Sequence, residues 1–255
     1  MRVARTIAEV RAELAGAGTV GLVPTMGALH AGHAALFQAA RASCDTLVAS
    51  VFLNAPQFSD QGDVTGYPRD HTADAAAATA EGVDVLFAPD AAEIYPAGFA
   101  TWVVPEGAAL GLEGEYRPGH FRGVATVVLK LLNIVHPQIA WFGRKDAQQV
   151  AVVKQLVRDL NLDVEIRVVD TVRDPDGLAL SSRNSRLTHA ERERAAAISR
   201  ALETRDADRA LAVLTAAGIT PDYVEVADLD GPTLAIAAHV GATRLIDNIR
   251  LDEGA

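Results

Sequence analysis

The sequence predicts an α/β fold: a doubly wound parallel sheet with a second, smaller α+β domain after it. Three observations carry this. Short apolar runs alternate with helix-forming stretches as far as residue 169. A glycine-bearing turn, Pro24 to His33, joins the first such run to a helix. Past about residue 185 the order changes to two helices and then three strand-like runs.

In chain order, residues 3–18 read as a helix, with Val3, Ile7, Val10 and Leu14 on one stripe and Gly16 and Gly18 ending it. Val20-Gly21-Leu22-Val23 is short enough for a buried strand, and Ala34 to Ala40 favours helix, so the residues between them make a strand-to-helix turn. Leu47 to Leu53 is a second buried strand, followed by the loop Asn54-Ala55-Pro56-Gln57-Phe58 at a carboxyl edge. An alanine-rich helix over 70–81 precedes a third strand, Val83 to Phe87. Residues 89–121 are irregular and rich in Gly and Pro, which for a stretch of this length between packed elements points to an active-site loop, with a solvated turn as the other reading. Val124 to Val135 is an apolar helix stopped before Pro137. Ile139 to Phe142 is a fourth strand, Ala147 to Leu160 a helix, and Val164 to Val169 a fifth strand. Helices over 188–203 and 206–217 then precede strand-like runs at 223–226, 234–237 and 243–246. The expected architecture is a Rossmann-like doubly wound sheet over residues 1–175 and a small α+β domain over 176–255.

Bulk composition narrows the function. Hydrophobic content of 49% with 5% aromatics gives an aliphatic core. A net charge of −10 argues against nucleic acid or an anionic membrane as partner, but a local cluster of His, Lys and Arg can still hold a phosphorylated ligand. The single cysteine, Cys44, excludes an internal disulfide, fits a reducing compartment and is expected to have no catalytic role. The start, Met1-Arg2-Val3-Ala4-Arg5, lacks an apolar signal core, and no apolar run approaches the roughly 20 residues of a membrane span. A soluble, cytoplasmic protein is expected.

The turn Met26-Gly27-Ala28-Leu29-His30-Ala31-Gly32-His33 carries the chemistry. His30 and His33 share one face of a first helical turn, where a helix N-terminus already favours phosphate and two imidazoles add donors. A cap or a metal site is the other reading of the pair. In Gly143-Arg144-Lys145-Asp146, Lys145 is a mobile cation, while Asp146 either caps the next helix or accepts ribose hydroxyls. Ser181-Ser182-Arg183 offers two hydroxyls and a guanidinium for phosphate, or is a polar linker. Asn54 and Gln57 are uncharged amides suited to a small hydroxylated substrate.

The turn resembles the HxGH signature of nucleotidyltransferases that cleave ATP between the α and β phosphates. The blocks PTMGALHxGH, FxNxxQF, RPGHFRGV, GxKDxQQ, LALSSRN and RLIDN occur in the order of the pantoate–β-alanine ligase family. That resemblance implies condensation of (R)-pantoate with β-alanine through a pantoyl adenylate, with AMP and pyrophosphate released. It implies a homodimer, and Mg²⁺ held mainly by ATP phosphates rather than by protein ligands. It places ATP along Met26 to His33, on Gly143, Arg144, Lys145 and Asp146, at Val172, and along Leu180, Ser181, Ser182 and Arg183. Pantoate falls between Gln57 and Gln149 with Asn54 beside it, and β-alanine near Gln57. His33 takes the position of the family's catalytic histidine, with His30 and Lys145 beside it in the chemistry. Residues 176–255 and the 113–122 loop become covers that keep water from the adenylate. Two alternatives are an adenylyltransferase of the same superfamily and a non-catalytic nucleotide-binding relative. Three departures from the family pattern stand out: Pro56 lies one place late, Arg144 stands where Glu is common, and the C-terminal domain is short.

Overall fold

The computed structural model describes residues 1–59 and 61–252. The chain forms two compact units: Met1–Phe142 with Val152–Val169, and Gly143–Ala151 with the chain from Asp170 onward. The second unit therefore opens at Asp170 and also takes a segment from inside the α/β region, where the sequence reading divides the chain at 175/176.

The α/β region runs β1 (Arg2–Ala4), α1 (Ile7–Glu13), β2 (Val20–Thr25), α2 (Ala31–Arg41), β3 (Thr46–Val51), α3 (Gln61–Thr65), α4 (His71–Ala80), β4 (Val85–Phe87), α5 (Ala91–Ile94), α6 (Leu112–Tyr116), α7 (His120–Val135), β5 (Ile139–Gly143), α8 (Ala147–Asp159) and β6 (Glu165–Val169). The six strands form one parallel sheet in the order β1-β4-β3-β2-β5-β6. Such sheets are covered on both faces, which is why β2, β3 and β4 read as unbroken apolar runs. Val23, Leu47, Ala49, Leu86 and Trp141 pack with Leu36, Phe37 and Ala40 of α2 and Ala78 of α4. From β2 the winding goes through β3 and β4 on one side and through β5 and β6 on the other. The topological switch point is thus between β2 and β5, and ligands of open α/β sheets sit beyond the carboxyl ends of such strands.

Two expectations are corrected. The helix over 3–18 is instead β1 and a seven-residue α1. Thr6 starts α1 through a capping box with Glu9, while Arg2–Ala4 pair in parallel with Val85–Phe87. The irregular stretch 89–121 contains α5, a 3₁₀ turn at Gly107–Ala109 and α6, and α7 starts at His120 rather than Val124.

In the second unit, α9 (His189–Glu203) and α10 (Ala207–Ala216) pack on an antiparallel sheet of β7 (Pro221–Asp228), β8 (Pro232–Val240) and β9 (Thr243–Arg250). Its core joins Ala195, Ile198 and Leu202 to Leu214, Leu234, Ile236 and Leu245. All three strands outrun the sequence-predicted ones, because β7 pairs with β8 from Asp228↔Pro232 to Pro221↔Ala238 and the β8–β9 hairpin stays in register from Val240↔Thr243 to Thr233↔Arg250. The α/β fold with a small α+β C-terminal unit is as the sequence predicts.

Candidate active site

The turn from β2 into α2 is held by buried polar groups. Gly27 and Ala28 both have positive φ, 87° and 53°. A side chain on Gly27 would sit 2.7 Å from Asp74 Oδ2, so the position needs glycine for space as well as for conformation. The buried Asp74 carboxylate accepts the Ala28 N–H at 3.2 Å and the Leu29 N–H at 2.9 Å. It thereby holds Ala28 in a conformation that non-glycine residues rarely adopt. Thr25 Oγ1 accepts from the Gly27 N–H and donates to the Ser50 carbonyl. The amides of Ala28 and Leu29 are thus spent on Asp74.

His30 and His33 cap α2 with their rings. His30 Nδ1 accepts the Gly32 N–H at 3.1 Å, and His33 Nδ1 accepts the His30 N–H at 3.2 Å. The ring centroids lie 4.2 Å apart. A nitrogen that accepts a backbone N–H carries no proton, so each neutral ring has its proton on Nε2. The cap and the donor pair, alternatives in the sequence, are therefore one arrangement. Among the described residues no three His, Cys, Asp or Glu side chains group as a metal site.

After β3, a 3₁₀ turn at Ala55–Gln57 with Pro56 inside it presents a buried amide chain. Tyr95 Oη donates to Asn54 Oδ1 at 2.7 Å, Asn54 Nδ2 donates to Gln57 Oε1 at 2.8 Å, and Gln57 Nε2 donates to Met26 Sδ at 3.2 Å. Burial pushes the Tyr95 hydroxyl up to about 12, so it remains the donor at the head of this chain. Asn54 Nδ2 also donates to the Gly123 carbonyl at 3.1 Å. The Gln57 carbonyl accepts from His120 Nδ1 at 2.9 Å and from Arg117 at 3.4 Å, and Arg117 also pairs with the buried Glu113. The segment 113–122, read from sequence as a loop, is the end of α6, a turn over 117–119 and the start of α7, and its Arg117 and His120 brace the Gln57 carbonyl. Asp74, Tyr95 and the bracing role of His120 were missed. Asp74 hides in an alanine-rich helix and Tyr95 in the irregular stretch, while His120 lies inside the quoted RPGHFRGV block.

The remaining candidates lie in the second unit. Lys145 sits in the 3₁₀ turn Arg144–Asp146 that follows Gly143. Asn248 Nδ2 donates to the carbonyls of Arg144 and Lys145, both at 2.9 Å. Gln148 is buried and Gln149 partly buried in the first turn of α8. Leu180 N–H donates to the Val172 carbonyl at 2.9 Å, closing a hairpin whose Arg173 binds Asp247 with both arms, at 2.5 and 3.0 Å. Ser181 Oγ caps the 3₁₀ turn Ser182–Arg186 by accepting the Arg183 N–H at 3.2 Å. The site candidates thus form two sets. Met26 to His33, Asn54 and Gln57 are built into the first unit. Gly143 to Asp146, Gln149, Val172 and Leu180 to Arg183 are built into the second.

A family model described as pantoate-beta-alanine ligase matches residues 2–250. A pantothenate synthetase of Acidobacterium capsulatum is 47% identical over 99% of this chain and 98% of its own length. One of Chloroflexus aurantiacus is 48% identical over 99% of both. Among solved structures, a Thermus thermophilus pantothenate synthetase superposes with a TM-score of 0.92 at 44% identity, covering 98% of this chain and 99% of its own. A Francisella tularensis pantoate-beta-alanine ligase, crystallised with beta-gamma ATP and beta-alanine, superposes with a TM-score of 0.90 at 36% identity over 100% and 99%.

Proposed function

The chain belongs to the pantoate–β-alanine ligase family, and from that premise we infer how its residues divide the work of ATP-dependent pantoate–β-alanine ligation. The observation that carries the activity is a family match along nearly the whole chain, joined by relatives covered over nearly their full length. The adenylyltransferase and non-catalytic alternatives are not favoured.

The reaction is proposed to run in two steps. A pantoate carboxylate oxygen attacks the α-phosphorus of ATP, the bond to the bridging oxygen breaks, and pyrophosphate leaves with the electron pair. The neutral amine of β-alanine then attacks the acyl carbon, AMP leaves, and the amine nitrogen gives up its proton. The first step needs no protein nucleophile, only alignment and charge stabilisation. The Nε2–H groups of His30 and His33 supply fixed donors for phosphoryl oxygens. Lys145, Ser181, Ser182 and Arg183 add the charge and hydrogen bonds expected around a triphosphate. The bound nucleotide is assigned to Met26 to His33, Gly143 to Asp146, Val172 and Leu180 to Arg183. Gln57 and Gln149 are proposed to orient pantoate, with Asn54 fixing the Gln57 amide, and β-alanine is placed near Gln57. The Francisella tularensis complex supports ATP and β-alanine as ligands here. Mg²⁺, expected with ATP in this family, would neutralise phosphate charge and be held mainly by the nucleotide rather than by protein ligands. A cytoplasmic homodimer is proposed on family membership, and light scattering on the purified protein tests the dimer.

The test is pyrophosphate release with ATP, Mg²⁺ and (R)-pantoate, with and without β-alanine. A stoichiometric burst without β-alanine that becomes continuous with it is expected. His33→Ala and Lys145→Ala should each slow the burst by about 10²–10³; Lys145→Ala should melt like the parent, and His33→Ala should fold with the modest Tm loss expected from removing its cap bond to the His30 N–H. A folded Lys145→Ala enzyme with parental burst rate removes Lys145 from this scheme.

A further inference from the structure

The proposed site leaves one motif without a role, Arg244-Leu245-Ile246-Asp247-Asn248. All of it lies on β9, inside the second unit. Leu245 and Ile249 face the helical core of that unit, so Asn248 alternates to the other face of the sheet. There it is buried, with its amide against the turn that carries Lys145.

The geometry is specific. One Nδ2 group donates to two successive backbone carbonyls, of Arg144 and of Lys145, both at 2.9 Å. Asn248 Oδ1 is buried and finds no hydrogen-bond partner in the structure. What this side chain contributes is therefore its two N–H groups, and the two carbonyls, which can only accept, fix which way the amide points. The turn has no side-chain cap of its own. Asn248 is itself held, since its backbone N–H donates to Asp247 Oδ1 at 2.8 Å, and Asp247 is gripped by both arms of Arg173. Arg173 also donates to the Gly177 carbonyl at 3.1 Å, inside the hairpin that leads to Leu180–Arg183. Two adjacent residues on one strand thus hold both stretches of the second unit that carry candidate phosphate ligands.

We propose that Asn248 is a positioning residue for adenylation: by clamping the carbonyls of Arg144 and Lys145 it fixes the base from which the Lys145 side chain reaches the phosphates. This rests on the reading of Lys145 given above. A misplacement of about 1 Å at a charge-stabilising group can cost on the order of 10² in rate. Loss of the clamp should therefore appear in the rate of the chemical step, not in the number of working sites.

Asn248→Asp is nearly isosteric, and it turns a carboxylate oxygen toward the two carbonyls in place of the donors. Asn248→Asp, Lys145→Ala and the double variant are compared in single-turnover pyrophosphate release with ATP, Mg²⁺ and pantoate. Expected is a burst slowed about 10–100-fold by Asn248→Asp with its amplitude kept, and less than about threefold further loss when Lys145 is already Ala. An equal loss in both backgrounds, a parental burst rate, or a reduced amplitude at parental rate overturns the proposal. A parental rate in Lys145→Ala alone instead overturns the reading of Lys145. Should Asn248→Asp not fold, Asn248→Ala is read in the same cycle. If neither folds, Asn248 is a structural residue and the proposal falls.

Discussion

Gly123→Ala sets two rules of protein energetics against each other. Gly123 lies in the first turns of α7, where alanine in place of glycine ordinarily gains about 1 kcal/mol. Here a Cβ would sit 2.6 Å from both the Cα and the N of Gln57 and 2.7 Å from the Pro56 carbonyl carbon. Ordinary carbon contacts are about 3.5–4.0 Å, so the overlap is on the order of 1 Å, against backbone that cannot rotate away. Overpacking costs about 1–3 kcal/mol, and rigid neighbours place this case near about 3. Offset by about 1 from helix propensity, the net loss is about 2 kcal/mol, or a Tm lower by about 4–8 °C. The Gln57 turn has to move, and with it the bond from Asn54 to the Gly123 carbonyl, so half-saturation by pantoate should rise at least tenfold. Thermal melting and steady-state pyrophosphate release against pantoate read both effects. A raised Tm with unchanged pantoate dependence would refute the claim that α7 rests directly on the backbone of this turn.

Three further outcomes follow from the structure. Asp74→Ala leaves the amides of Ala28 and Leu29 without their acceptor, and bonds to a charged group are worth about 1.5–3 kcal/mol; a lower Tm and weaker ATP saturation are expected, with Asp74→Asn between it and the parent. The Thr188 backbone N–H, and then its hydroxyl, hold the Glu191 carboxyl below its ordinary value. Its stabilisation is therefore present above the unfolded value near about 4.3 and lost as pH falls through the lower folded one. The melting gap between parent and Glu191→Gln should be open at neutral pH and close below about pH 4; a gap that widens in acid contradicts the assignment. Cys44 donates its thiol proton to the Ala40 carbonyl at 3.2 Å, and burial pushes the thiol up, so alkylation at pH 7 should be slow and Cys44→Ser fully active. Rapid labelling that stops turnover would contradict this.

What the sequence made legible follows from how each feature is built. Strands buried on both faces have to be apolar along their length, so β2, β3 and β5 stood out. The three-residue β1 did not, because it is an edge strand with Val3 half exposed, and its apolar residues fitted a helical stripe equally well. The phosphate-side candidates were readable because His30, Gly32 and His33 act within one turn. The residues that hold the site act across long separations. Asp74 meets Leu29 from 45 positions away, His120 meets Gln57 from 63, and Asn248 meets Lys145 from 103. No periodicity or spacing encodes such a partner. A single acid in an alanine-rich helix reads as a solvated face, and the RLIDN block was recognisable as a pattern without showing what it touches. The start of α7 was misplaced because Gly119, with φ of 82°, lets the helix begin at His120 directly after a turn.

The clamp on the Lys145 turn bears on how the protein is made. A ribosome adds residues in order, and the carbonyls of Arg144 and Lys145 have to wait 104 and 103 positions for the Asn248 side chain. In the parallel sheet, likewise, the edge strand β1 finds its partner only when Val85–Phe87 emerge. A nascent chain stalled before β9 therefore lacks the side chain that holds the carbonyls of the Lys145 turn.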